Sequence, residues 1–201
     1  MIDRLRYFLA IVNLVVIPSG MLFWFLIHPW ARLWRRLGPI RTYLIVVPVS
    51  VAFGALFFRF RDALLGKDLG TNWSLVAIAV LLYGVMTWLQ FLYRKHLSTG
   101  TLVGIPELSP IGDKRGRLLQ EGIYGVVRHP RYLSAGVGVV ANALLSNYAG
   151  LYLFMLCVVP VGYLMVVMEE RELIERFGEE YREYQRKVPG LIPRWRKTSS
   201  E

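Results

Sequence analysis

Two short polar stretches hold the residue types that can do chemistry. One is Glu121-Gly-Ile-Tyr-Gly-Val-Val-Arg-His-Pro-Arg-Tyr132, and the other is Glu169-Glu170, about 40 residues later. Together they offer guanidinium, imidazole, carboxylate and phenol groups, a set that can hold a carboxylate, an ammonium and an aromatic ring, and can move a proton. Charged groups next to apolar segments are costly to desolvate, so they are expected either to pair with one another or to serve a ligand. The residues by themselves leave that choice open. His129-Pro130 also suits a plain helix start, since proline is favoured in the first turn. His28-Pro29 repeats the dipeptide at the end of another apolar run, with no acidic residue nearby in the sequence. The one cysteine, Cys157, lies inside an apolar run, which argues against a disulfide framework and against a Cys-based metal centre; no metal site is expected.

The elements that must position these groups are apolar helices. Of 201 residues, 55% are hydrophobic, yet the net charge is +10, a pairing foreign to ordinary soluble domains. Segments 8–28, 42–58 and 74–93 are nearly free of charge and about 20 residues long, which matches the thickness of a bilayer core. Pro18 and Pro48 lie inside these runs, where membrane helices tolerate proline. The basic N-terminal start resembles a signal peptide, but its apolar run is long and has no convincing cleavage site, so it reads as a retained span. A polar connection over 94–131 follows. Then come a short apolar arm at 132–145 and a full-length one at 148–168, separated only by Ser146 and Asn147, which predicts a tight helical hairpin. Gly136, Gly138, Ala141 and Ala143 give the first arm a small-residue face for packing on its hairpin partner. From Glu169 onward, Leu173, Ile174, Phe177, Tyr181 and Tyr184 recur at helical spacing, predicting an amphipathic surface helix closed by Pro189 and Pro193.

The expected fold is therefore an all-α polytopic integral membrane protein of about five transmembrane helices. It is read as one membrane domain over 1–201: three spans in 1–93, a connection in 94–131, a hairpin in 132–168 and a tail in 169–201. A hairpin joined by so short a turn sets its open ends side by side, which brings Arg128, His129 and Tyr132 to Glu169 and Glu170. In this layout nineteen of the 24 Lys and Arg fall on the side of the connection and tail. That bias puts the polar site in the cytoplasm and the N-terminus on the opposite side. The same basic residues suit anionic lipid headgroups. Nucleic acid is a poorer partner, because the charge follows topology instead of forming one patch.

Gly-Ile-Tyr, Arg-His-Pro-x-Tyr, a short hairpin, Glu-Glu and Phe177-Gly-Glu-Glu-Tyr…Tyr…Val-Pro together resemble the isoprenylcysteine carboxyl methyltransferase family, itself similar to the membrane phospholipid N-methyltransferases. The resemblance runs from about Glu121 to Pro193. It implies S-adenosylmethionine as methyl donor and a lipophilic or prenylated molecule as acceptor, methylated on a carboxylate or an amine. By the same resemblance Tyr124, His129, Tyr132, Glu169 and Glu170 surround the donor, with Arg128 and Glu170 at the catalytic centre. Ser134 departs from the glycine that many relatives carry two residues after the motif tyrosine. Two other readings compete. One is a sterol-reductase-like enzyme using NADPH, against which stands the lack of a dinucleotide glycine fingerprint. The other is a noncatalytic membrane protein or transporter, against which stand spans poor in ionisable residues and without an inverted repeat.

Overall fold

A computed structural model describes residues 1–97, 108 and 118–193. The middle of the expected polar connection and the last residues of the expected tail therefore lie outside the described residues. The rest is helical, with no β-strand among the described residues.

Helix α1 (Ile2–Ile27) passes through a 3-10 turn (His28–Trp30) into α2 (Ala31–Leu37), forming one 36-residue apolar element. Gly38, with φ of 79°, ends it, and Pro39 opens α3 (Pro39–Arg59) at the position where proline is best tolerated. A short α4 (Arg61–Leu65) leads to the start of α5 (Trp73–Arg94), where Asn72 Oδ1 accepts from the Ser74 and Leu75 amides at 3.0 and 3.2 Å. The hairpin consists of α6 (Pro130–Ser146) and α7 (Ala149–Phe177); α8 (Glu179–Lys187) follows after Gly178, whose φ is 62°. Among the described residues four elements, Ile2–Leu37, Pro39–Arg59, Trp73–Arg94 and Ala149–Phe177, are long and apolar enough to cross a membrane. At 17 residues, α6 spans about 25 Å at the helical rise. The fold is that of an all-α integral membrane protein. Its outer faces are apolar and exposed, as at Leu44, Val51, Leu81, Leu156 and Val159, the pattern expected where lipid replaces water.

The closed end of the hairpin is locked by polar contacts. Asn147 adopts the left-handed conformation that ends α6, and its carbonyl accepts from Leu69 N at 3.1 Å, while Ala149 N donates to Lys67 O at 3.0 Å. Arg6, only 1% exposed, donates to Ser146 O at 3.1 Å and to Asp3 Oδ1 at 3.1 Å, and is paired with Asp68. Because this lock sits at one end of the hairpin, the open ends of α6 and α7 lie together at the other.

Two expectations about packing need correction. Helix α6 as a whole packs on α5 and α1 more extensively than on its hairpin partner, although Ala143 shares a buried cluster with Leu151 of α7. A Cβ on Gly138 would come within 2.7 Å of Met86 Sδ, and Gly136 faces nothing within 4 Å. The short α6 is thereby wedged among α1, α5 and α7. The amphipathic helix expected from Glu169 is also divided, because α7 continues without a break through Glu169 to Phe177 and only α8 is separate.

Candidate active site

The approach to α6 is shaped by one glycine. Gly122 has φ of 60°, and a Cβ there would lie 2.5 Å from His96 Nε2 at the end of α5, so both conformation and space exclude a side chain. A 3-10 turn, Gly122–Gly125, then presents Tyr124, whose ring meets His96 edge-on at 6.3 Å between centroids. The chain after α8 lies back over this segment. Arg128 N donates to Pro189 O at 2.9 Å, His129 N donates to Gly190 O at 3.0 Å, and the Tyr184 hydroxyl donates to Tyr124 O at 2.6 Å.

At the mouth of the hairpin, Glu170 is the hub. Its Oε1 accepts from Arg128 Nε at 2.8 Å and Nη2 at 2.6 Å, and lies 2.9 Å from His129 Nε2. The Tyr181 hydroxyl donates to it at 3.5 Å, and Gln185 Nε2 donates to Oε2 at 3.0 Å. Arg128 Nη1 donates to the carbonyls of Gln185, at 3.2 Å, and Val188. One of the five guanidinium N–H groups is left without a partner among the described residues. Gln185 had no signal in the sequence; Tyr181, Tyr184 and Val188 stood out as residues of the tail motif, the two tyrosines also as apolar positions, but without a role at the site.

Glu169 is next to this hub but differently placed. The Tyr132 hydroxyl lies against its carboxylate, and His129, His28 and Arg131 act on it electrostatically. Even so, neither Tyr132 Oη nor Glu169 Oε2, both buried, completes a hydrogen bond of sound geometry among the described residues. Burial pushes the Tyr124 hydroxyl up to about 12, with Glu169 and Tyr93 adding to the rise and Arg131 opposing it. Burial and the nearby Glu170 carboxylate likewise raise Tyr181 and Tyr184. All three are neutral donors at ordinary pH. Ser134, the departure from the family motif, is turned away from this cluster and donates to Met86 O on α5 at 3.3 Å.

A second buried network contradicts the reading of His28-Pro29 as lacking an acidic partner. His28 Nδ1 lies 3.3 Å from Glu172 Oε2, and Arg35 is paired with the other oxygen of that carboxylate. His28, Arg35 and Glu172 are 5%, 8% and 4% exposed. The Trp24 ring stacks on His28 at 5.3 Å, and the Arg131 guanidinium sits 4.8 Å from the Trp24 ring centroid. The partners are 144 and 137 residues apart, which is why local sequence gave no sign of them. The first helix and α2 are thus tied electrostatically to the hairpin mouth.

Comparison with known proteins decides the kinship. Residues 73–180 match the model of the family described as phospholipid methyltransferase, somewhat more than half the chain. The chain belongs to that family. Its resemblance to isoprenylcysteine carboxyl methyltransferases, suggested by the motifs, holds as well. It is 33% identical over 87 residues to a protein-S-isoprenylcysteine O-methyltransferase of Schizosaccharomyces pombe, covering 41% of this chain and 37% of that protein. It is 36% identical over 107 residues to methanethiol S-methyltransferase 1 of Bradyrhizobium diazoefficiens, covering 53% and 34%. A methanethiol S-methyltransferase of Pseudomonas deceptionensis is 25% identical over 150 residues, covering 75% and 53%. The chain therefore spans about a third to a half of the length of these relatives. The phospholipid methyltransferase match includes α5, the hairpin and Glu170, but ends before Gln185 and begins after His28 and Arg35.

Proposed function

We propose that this membrane protein transfers a methyl group from S-adenosylmethionine to a lipid-like or prenylated acceptor at the membrane–cytoplasm boundary. The observation that carries the reading is the joining of Arg128 and Glu170 at the open end of the hairpin, beneath the returning segment of Pro189 and Gly190. The kinship supports it, since the names of the relatives describe methyl transfer to sulfur or oxygen.

The residues fit such a donor. Tyr132 Oη and Glu169 Oε2 are buried polar atoms that lack partners among the described residues, which is what a ligand would complete. The remaining guanidinium hydrogen of Arg128, together with His129, suits the donor's carboxylate; Glu169 and Glu170 suit its cationic groups; Tyr124 and Tyr132 suit its adenine. When bound, S-adenosylmethionine supplies an electrophilic methyl group on a sulfonium. The chain's own contribution is to hold acceptor and donor in line, fix the carboxylates and exclude water. Arg128 does this by keeping Glu170 and the returning segment in register.

The five-helix count and single domain are part of this proposal, as is the orientation, with the site in the cytoplasm and the N-terminus opposite. Charge bias supports the orientation. An acceptor dissolved in the bilayer would enter from the side, and a water-soluble donor from the cytoplasm. Calorimetric titration of the detergent-purified protein with S-adenosylmethionine and, separately, with NADPH tests the reading. Saturable binding of the former alone is expected, and binding of NADPH alone would overturn it.

A further inference from the structure

The hairpin mouth has a basic rim, and one member of it points inward. Arg32, Arg36, Arg41 and Arg94 are exposed at this end, as arginines at a membrane surface usually are. Arg131 is half-buried. Its guanidinium carbon lies 4.8 Å from the centroid of the Trp24 ring and 5.8 Å from that of Tyr132, both within reach of a cation–π contact. Its charge also acts on Tyr124, Tyr132 and Glu169, three of the residues that suit the donor. Trp24 is itself fixed. Its ring stacks on His28 at 5.3 Å with the planes 19° apart, meets Phe23 edge-on, and is braced on α7 through the contact of His28 with Glu172.

We propose that Trp24 is a positioning residue of the donor site: its ring keeps the Arg131 guanidinium turned inward, beside Tyr132. The proposal rests on the methyl-transfer reading and adds to it a residue of α1, outside residues 73–180 that match the family. An arginine on the first turn of α6 has an alternative place, since its side chain is long enough to swing out to water and lipid phosphates, which attract it. With Arg131 in that place, Glu169, whose Oε2 is buried, loses a compensating charge, and the Tyr132 ring loses its cation. A buried carboxylate deprived of a nearby cation is costly, so the two side chains would rearrange and the donor would have to reorder them on binding. The Trp24 ring opposes that swing. It touches no donor atom in this account and acts only through Arg131, by setting Glu169 and Tyr132 before the donor arrives. The half of the chain that matches the family thus borrows one wall of its site from the end of α1.

The test is a double-mutant cycle on the full chain in detergent, with the S-adenosylmethionine dissociation constant read by calorimetry. Trp24→Leu should weaken donor binding about 5-fold or more, whereas Trp24→Phe, which keeps a ring, should stay within about 2-fold of the unaltered protein. Arg131→Gln should weaken it about 10-fold, and adding Trp24→Leu to that variant should cost less than about 2-fold more, because the ring then has no guanidinium to hold. Unchanged affinity in Trp24→Leu overturns the proposal, as does a Trp24→Phe protein as weak as Trp24→Leu. Equal losses from Trp24→Leu with and without Arg131 overturn it too, by giving the ring a packing role alone. Should Trp24→Leu not fold, Arg131→Gln still decides, since full donor affinity in that variant makes Arg131 a surface anchor and removes what Trp24 would position. If the unaltered protein fails to bind S-adenosylmethionine, the underlying reading falls and this proposal falls with it.

Discussion

Arg128 and Glu170 are 42 positions apart in the chain and are joined by two hydrogen bonds, at 2.8 and 2.6 Å. The first residue precedes α6 and the second lies late in α7, so only the hairpin can bring them together. Arg128 also donates to the Gln185 and Val188 carbonyls, which makes one side chain the link between hairpin mouth and returning segment.

Arg128→Lys keeps the charge but loses the planar fork that serves these partners at once. It should cost about 1–3 kcal/mol through unsatisfied carbonyls. Limited trypsin digestion should then cut more readily at Arg186 and Lys187, both exposed at the end of α8. Unchanged digestion would show that the returning segment is held without Arg128.

The closed end depends on backbone contact. A Cβ on Gly150 would lie 1.8 Å from Leu64 O, whereas Gly136 has nothing within 4 Å. Gly150→Ala should therefore destabilise the protein by at least about 1–3 kcal/mol, and Gly136→Ala should be neutral or better, as both sit in helices. Thermal unfolding in detergent compares the two, and equal midpoints would contradict the packing.

Glu172 holds Arg35 and His28 in a buried cluster. Glu172→Gln strands a buried cation and should cost about 3–5 kcal/mol. Replacing Arg35 by Gln as well should recover part of that loss, because the second change removes the stranded charge. Strictly additive losses in the double variant would deny the coupling between α2 and α7.

At the other end, Asp68 is held below its ordinary value of 3.8. Burial opposes this, and the Gly70 amide and Arg6 outweigh it. With the folded-state value depressed, its contribution is present above 3.8 and is lost as pH falls through the lower folded value. Asp68→Asn should therefore flatten the acid side of a melting-point profile, leaving the neutral side lower than in the unaltered protein. An identical acid slope in both would remove Asp68 from the account.

Much of this arrangement was legible in the sequence because membrane helices announce themselves by length and a short turn leaves a hairpin one geometry. Arg128, His129, Tyr132, Glu169 and Glu170 were readable as a cluster on that ground alone. His28, Arg35 and Glu172 were not, since their pairing depends on how α1 leans against α7, and ridge-and-groove packing leaves no local trace. The difference between Glu169 and Glu170 was equally hidden. Adjacent identical residues on a helix point about 100° apart, and only the surrounding side chains decide which one is saturated. The continuity of α7 past Met168 went unseen because polarity changes at Glu169 while helical hydrogen bonding does not.

The central claim is that the hairpin mouth forms a donor site organised by Glu170, and donor affinity in two glutamate variants tests it most directly. Glu183 is exposed on α8 and pairs only with Lys187 at 3.8 Å among the described residues, so Glu183→Ala serves as the matched control. Calorimetric titration with S-adenosylmethionine should show Glu170→Ala weakened about 10-fold or more, with Glu183→Ala unchanged. Equal affinity in the two variants would contradict the claim.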